Sequence, residues 1–151
     1  MKTKKGDLLV LAQQGEFDLI VHGCNCFCTM GAGIARQIKS IFPEAYEADI
    51  QTKKGDKEKL GTFSWAKIAN GDKELIIING YTQYHYSSKQ KPLDYDALRQ
   101  VFRKVKSNYS GLRIGYPAIG AGLAGGNWER IAQIIDEELE GEDHTFVVFE
   151  T

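Results

Sequence analysis

An α/β chain folded as a three-layer α/β/α sandwich, with a mixed central sheet, is the architecture this sequence specifies. Three observations carry that expectation. Beyond the first few residues, apolar runs of strand length alternate with stretches of helical periodicity. Runs such as Leu19-Ile20-Val21 and Leu75-Ile76-Ile77-Ile78 are apolar throughout, the pattern of strands covered on both faces. Two glycine-rich turns, beginning at Met30 and at Tyr116, each follow a strand and open a helix.

The elements follow in order. Residues 6–11 read as a turn entering apolar residues, the end of a strand near the start of the domain. Residues 18–22 form a buried strand, followed by a loop over 23–30. A helix is expected over 31–42, where Ile34, Ile38, Ile41 and Phe42 recur at helical spacing. Pro43 ends it or restarts a turn. Residues 51–59 are polar and charged, an exposed loop. Asn70-Gly71-Asp72 lies between two strand patterns and predicts a β-hairpin. An aromatic and polar loop spans 81–92. Asp94 is placed to cap a helix carrying Leu98, Val101, Phe102 and Val105 on one face. A strand over 112–115 runs into the second glycine turn. The last helix carries Trp128, Ile131, Ile135 and Leu139, and residues 145–149 make a final strand. Residues 1–151 are read as one domain, with no repeat or linker.

Composition narrows the function classes. The 19 basic and 20 acidic residues nearly cancel, so no bulk electrostatic grip on nucleic acid is expected. The lysines at 2–5 and at 53–54 read as solvated faces. No stretch has membrane-spanning length and no apolar core follows the basic N-terminus, so the expectation is a cytoplasmic monomer without a membrane partner. Cys24, Cys26 and Cys28 are odd in number and too close together for a disulfide framework. No second cluster completes a zinc site, so neither a metal nor another cofactor is expected.

The two turns carry the chemistry. A strand, a glycine-rich turn and a helix start gather backbone N–H groups around one concave spot, and the helix dipole adds positive potential. The expected occupant is a phosphate or diphosphate. No G-x-G-x-x-G stands at the first strand-to-helix turn, which argues against a dinucleotide oxidoreductase.

Four stretches, in this order, resemble a macrodomain, the ADP-ribose-binding module, over nearly the whole chain. They are Gly6-Asp7-Leu8; Val21-His22-Gly23-Cys24-Asn25 with Met30-Gly31-Ala32-Gly33-Ile34-Ala35; Asn79-Gly80-Tyr81-Thr82-Gln83; and Ile119-Gly120-Ala121-Gly122-Leu123. The branch most similar holds the yeast-type ADP-ribose-1''-phosphate phosphatase and the terminal ADP-ribose glycohydrolases. The resemblance implies that Asp7, with Leu8 beside it, binds the adenine end. Asn25 holds the distal ribose, beside Cys24. Met30, Gly31, Ala32, Gly33, Ile34 and Ala35 bring backbone to the distal ribose and phosphate. Pro117, Ile119, Gly120, Ala121, Gly122, Leu123 and Ala124 wrap the diphosphate. His22 and Asn25 become the catalytic candidates, with His22 activating water or protonating the leaving oxygen. Without the resemblance, Asp7 reads equally well as a cap, Asn25 as an Asx-turn residue and His22 as an inert buried histidine. His85 is a further candidate for stacking on the ligand, whereas His144 reads as uninvolved.

Two departures from the glycohydrolases matter. Their catalytic lysine aligns with Gln83 and their phosphate-loop aspartate with Ala124; neither residue here forms an imine or transfers a proton. The expected function is therefore hydrolysis of ADP-ribose 1''-phosphate to ADP-ribose and phosphate. The alternatives are a reader of ADP-ribose groups and a hydrolase acting on ADP-ribosylated macromolecules.

Overall fold

The computed structural model describes residues 1–87, 92–122 and 124–151. All six strands belong to one sheet: β1 (Lys2–Gly6), β2 (Leu19–Cys24), β3 (Phe63–Asn70), β4 (Lys73–Tyr81), β5 (Ile114–Tyr116) and β6 (His144–Phe149). Their spatial order is β1-β6-β5-β2-β4-β3, parallel except for the antiparallel β3–β4 pair. That pair is the predicted hairpin. Asn70 faces Lys73 across a two-residue loop, and Gly71 there has φ +67°.

The fully apolar strands are explained by the layers. Along β2, Ile20 and Cys24 face one core, and Leu19 and Val21 the other. Along β4, Leu75, Ile77 and Tyr81 alternate in the same way with Ile76 and Ile78. The first core is closed by α1 (Leu8–Gln13), α2 (Gly33–Ile41) and α3 (Pro43–Ile50), the second by α4 (Tyr95–Tyr109) and α5 (Trp128–Glu138).

At the N-terminus one reading holds and one is corrected. Lys2–Gly6 is an edge strand whose lysine side chains stay exposed, which discourages pairing with a further chain. Leu8 to Leu11 is not the end of a strand: Asp7 Oδ1 accepts the Leu9 and Val10 N–H groups and starts α1, burying Leu8, Leu9 and Ala12. Pro43 restarts the chain as α3, where its missing N–H costs nothing.

Asp94 caps α4 by accepting the Ala97 N–H at 2.9 Å, and Leu98, Val101, Phe102 and Val105 are all buried. Asp94→Ala should cost about 1 kcal/mol of unfolding free energy, measured by urea denaturation.

Parallel strands β2, β4 and β5 end on the same side of the sheet, so the segments leaving them share one rim.

Candidate functional site

A cleft of about 540 Å³ opens at that rim. Its walls come from the end of β2 (Gly23, Cys24), the following loop (Asn25, Thr29) and the first glycine turn (Met30 to Ala35). The second turn adds Pro117, Ala118, Ile119, Gly120, Gly122 and Ala124, and Asp49, Gln83 and Tyr86 complete the wall. The two glycine turns therefore meet, as the backbone-cradle argument requires.

Local conformation explains the sequence here. Gly120 has φ +73°, and a Cβ on it would lie 2.7 Å from Leu93 Cδ1. Gly33 opens α2 at φ +57°. The cap residue Ala32 offers no side-chain hydrogen bond and the first turn carries no acid, so the helix's first N–H groups remain open toward the cleft. The loop entering the turn is strained: Cys28 and Met30 sit at φ +57° and +38°, which costs each of them roughly 1 kcal/mol.

Asn25 holds that loop. Its Oδ1 accepts the Phe27 N–H at 2.8 Å and its Nδ2 donates to Thr29 Oγ1 at 2.8 Å. This is the Asx-turn reading, and Asn25 nevertheless lines the cleft, with one lone pair and one N–H left for a ligand.

Not every anticipated residue reaches the cleft. Asp7 caps α1 through Oδ1 alone, and neither it nor Leu8, which is buried in the first core, lines the wall. Ala121 packs toward the second core. Leu123 lies outside the described residues. His85 stacks on Tyr86 with ring centroids 4.1 Å apart, and it is Tyr86 that faces the cleft. His144 belongs to β6 and bonds Tyr116 Oη through Nδ1 at 2.7 Å.

The expectation for His22 needs the largest correction. Its side chain is fully buried on the α3 side of the sheet, and Cys24, not His22, lines the cleft. His22 Nε2 lies 2.7 Å from Asn79 Oδ1, across the β2–β4 pair. Asn79 Nδ2 donates to the Ala45 carbonyl at 2.9 Å and to Ser64 Oγ at 3.0 Å, which fixes Oδ1 as the acceptor. His22 Nε2 therefore carries the proton and Nδ1 does not. Burial lowers its pKa to about 4 despite the Asn79 bond, so the ring is neutral at physiological pH. A neutral histidine walled off from the cleft positions its neighbours and does not touch a ligand.

From Asn79 the hydrogen bonds continue. Tyr81 Oη donates to Asp49 Oδ1 at 2.7 Å, which leaves the Ser64 hydroxyl to donate to Tyr81 Oη at 2.8 Å. Each donor thus points along one path, His22 to Asn79 to Ser64 to Tyr81 to Asp49, which ends on the carboxylate of Asp49, a residue of the cleft wall that is itself only 1% exposed. Burial raises the Asp49 pKa, opposed by the Tyr81 hydrogen bond and by the Lys59 charge. Lys59 is itself buried, donating to the Cys26 carbonyl at 3.1 Å and lying 4.6 Å from the Tyr81 ring centroid.

Sequence reasoning missed Asp49. Its only signal was an acid four residues after an alanine, and Ala45 and Asp49 form the buried face of α3. Burial also raises the Cys24 pKa, and that of Cys26 to about 11, so neither supplies a ready thiolate. Among the described residues no three metal-ligating side chains converge.

The Macro domain family model matches residues 21–135 of this chain. The chain belongs to the Macro domain family. This macrodomain is 36% identical over 141 residues to the uncharacterized 17.5 kDa protein in the tk-vs intergenic region of Enterobacteria phage T4, covering 90% of this chain and 88% of that one. It is 30% identical to the ADP-ribose glycohydrolase OARD1 of Bos taurus, covering 96% and 88%. It is 28% identical to the DNA ADP-ribosyl glycohydrolase of Mycobacterium tuberculosis, covering 85% of this chain but spanning only 35% of that longer protein. Among solved structures, a Bacteroides thetaiotaomicron protein of unknown function superposes with a TM-score of 0.80 at 26% identity, over 98% of each chain.

Proposed function

We propose that this macrodomain binds ADP-ribose in the cleft and hydrolyses the phosphate ester of ADP-ribose 1''-phosphate. The observation that carries the reading is the junction of the two glycine turns around the uncapped start of α2. Main-chain N–H groups on both sides suit a linked diphosphate, and a cleft of about 540 Å³ is of ligand-binding size. The glycohydrolase names of two relatives support a hydrolase acting on an ADP-ribosyl compound.

The residues in the wall support phosphate release over glycosidic cleavage through an imine. Gln83 and Ala124 line the cleft at the positions where the resemblance puts the glycohydrolase lysine and aspartate. Asp49 is the carboxylate that remains. In the reaction, a water oxygen bonds to phosphorus as its proton passes to Asp49; the P–O bond to the ribose breaks, and that oxygen takes a proton from solvent. The backbone N–H groups stabilise charge on the phosphoryl oxygens. His22, Asn79, Ser64 and Tyr81 hold Asp49 in place.

Calorimetry with ADP-ribose tests the binding, and phosphate release from ADP-ribose 1''-phosphate tests the reaction. Saturable one-to-one binding with phosphate release is expected. Binding with no release would favour the reader, a role that the neutral Gln83 and Ala124 also permit. No binding of ADP-ribose would remove both.

A further inference from the structure

Next to the main cleft lies a second depression of about 460 Å³, lined by Met30, Gly31, Arg36, Lys39 and Ser40. Met30 and Gly31 also line the main cleft, so the two share one rim. Arg36 and Lys39 stand three residues apart on α2 and so lie on one face of it. Two cations at that spacing repel, and α2 contains no acid to separate them. Lys39 Nζ sits 4.1 Å from the Tyr46 ring centroid, a contact with an aromatic face and not with a carboxylate. Among the described residues Arg36 is exposed and neither cation has an acidic partner, although most arginines of this chain are paired, as Arg99, Arg103 and Arg113 are. With a formal net charge of −1, the chain has no general cationic surface of which this pair would be an ordinary part.

We infer that the Arg36–Lys39 shelf binds a phosphate group attached to the ligand beyond its distal ribose. The inference rests on the reading of the main cleft as the ADP-ribose site, because the resemblance sets the distal ribose at Gly31 and Gly33. A group leaving that ribose over the Met30–Gly31 rim meets the shelf next. The guanidinium fork of Arg36 matches two phosphate oxygens, Lys39 supplies a point charge and Ser40 a hydroxyl. The 1''-phosphate itself stays with the backbone N–H groups and Asp49 of the main cleft, so the phosphate on the shelf is a further one, a backbone phosphate of an oligonucleotide carrying ADP-ribose.

The test is competition against a fluorescent ADP-ribose, with wild type and the Arg36→Ala/Lys39→Ala double variant. The competitors are ADP-ribose, ADP-ribose 1''-phosphate and an oligonucleotide ADP-ribosylated on its terminal phosphate. The double variant should bind ADP-ribose and ADP-ribose 1''-phosphate within about twofold of wild type and the oligonucleotide roughly tenfold more weakly. Arg36→Glu should weaken that competitor further. An equal loss for ADP-ribose 1''-phosphate would put the reacting phosphate on the shelf and overturn its assignment to a backbone phosphate. A loss for the oligonucleotide alone, with a shallower salt dependence in the variant, identifies the backbone phosphate. Unchanged affinity for both phosphate-bearing competitors, with ADP-ribose binding intact, overturns the shelf and leaves the main cleft standing. Wild-type protein that takes up no ADP-ribose overturns the reading of the cleft, and the shelf with it.

Discussion

Replacing His22 with glutamine should remove about 3 kcal/mol of acid sensitivity from this protein between pH 7 and pH 4. The folded ring has a pKa of about 4 because it is fully buried, against 6.5 in the unfolded chain. Below pH 6.5 the unfolded chain therefore binds a proton that the folded chain refuses, and stability falls as pH falls. The loss accumulates from about pH 6.5 down to about pH 4 and levels off below that, where both states are charged. Other shifted groups contribute with mixed sign. Asp49, raised by burial, acts oppositely, since the folded state takes up its proton first. His144 is lowered and adds to the acid loss. Asp18 is held down chiefly by its hydrogen bond to Arg113 and loses that stabilisation at lower pH still. The quantity to measure is therefore a difference: the unfolding free energy from urea titrations at pH 7 and pH 4, wild type against His22→Gln. Glutamine keeps an N–H donor for Asn79 Oδ1, so the network is not simply opened. Parallel profiles for the two proteins would mean that water reaches the His22 ring, and the separation of His22 from the cleft would be wrong.

His22 also marks how far the sequence could be read. Its place at the end of an apolar strand was legible, and so was the glycine turn that follows. Which way the ring points was not, because a strand covered on both faces gives no alternation to read. The register of β2 against β4 decides it by setting His22 opposite Asn79. Leu8 to Leu11 misled for a related reason. Four apolar residues fit a buried strand as well as one face of a short helix, and the Asp7 cap decided for the helix. The glycine turns were legible because their conformational demands are local. Asp49 was not, because it reaches the cleft only through the packing of α3 beneath a loop more than twenty residues upstream. The Cys28 thiol donating to the Asp49 carbonyl at 3.2 Å is where the two segments touch. Adenine recognition by Asp7 rested on resemblance alone, and the folded chain gives that carboxylate a capping role.

Asp49→Asn should lower phosphate release on the order of 100-fold or more while leaving ADP-ribose affinity within a few-fold of wild type. The substitution keeps an oxygen to accept the Tyr81 hydroxyl and removes the ability to take a proton from water. It also removes a carboxylate whose ionised form is disfavoured by burial, so stability at pH 7 should not fall. Asp49→Ala differs in that it strands the Tyr81 hydroxyl among buried groups, and it should lose stability as well as activity. The pair of variants separates chemistry from folding, with thermal melts run beside the phosphate assay. The wild-type pH profile supplies an independent check. A base must be ionised to act, so turnover should fall on acidification with a midpoint above the ordinary aspartate range, and that limb should be absent from the residual activity of Asp49→Asn. Wild-type turnover by Asp49→Asn would place the proton acceptor elsewhere in the cleft and reduce the buried path from His22 to Asp49 to a structural brace.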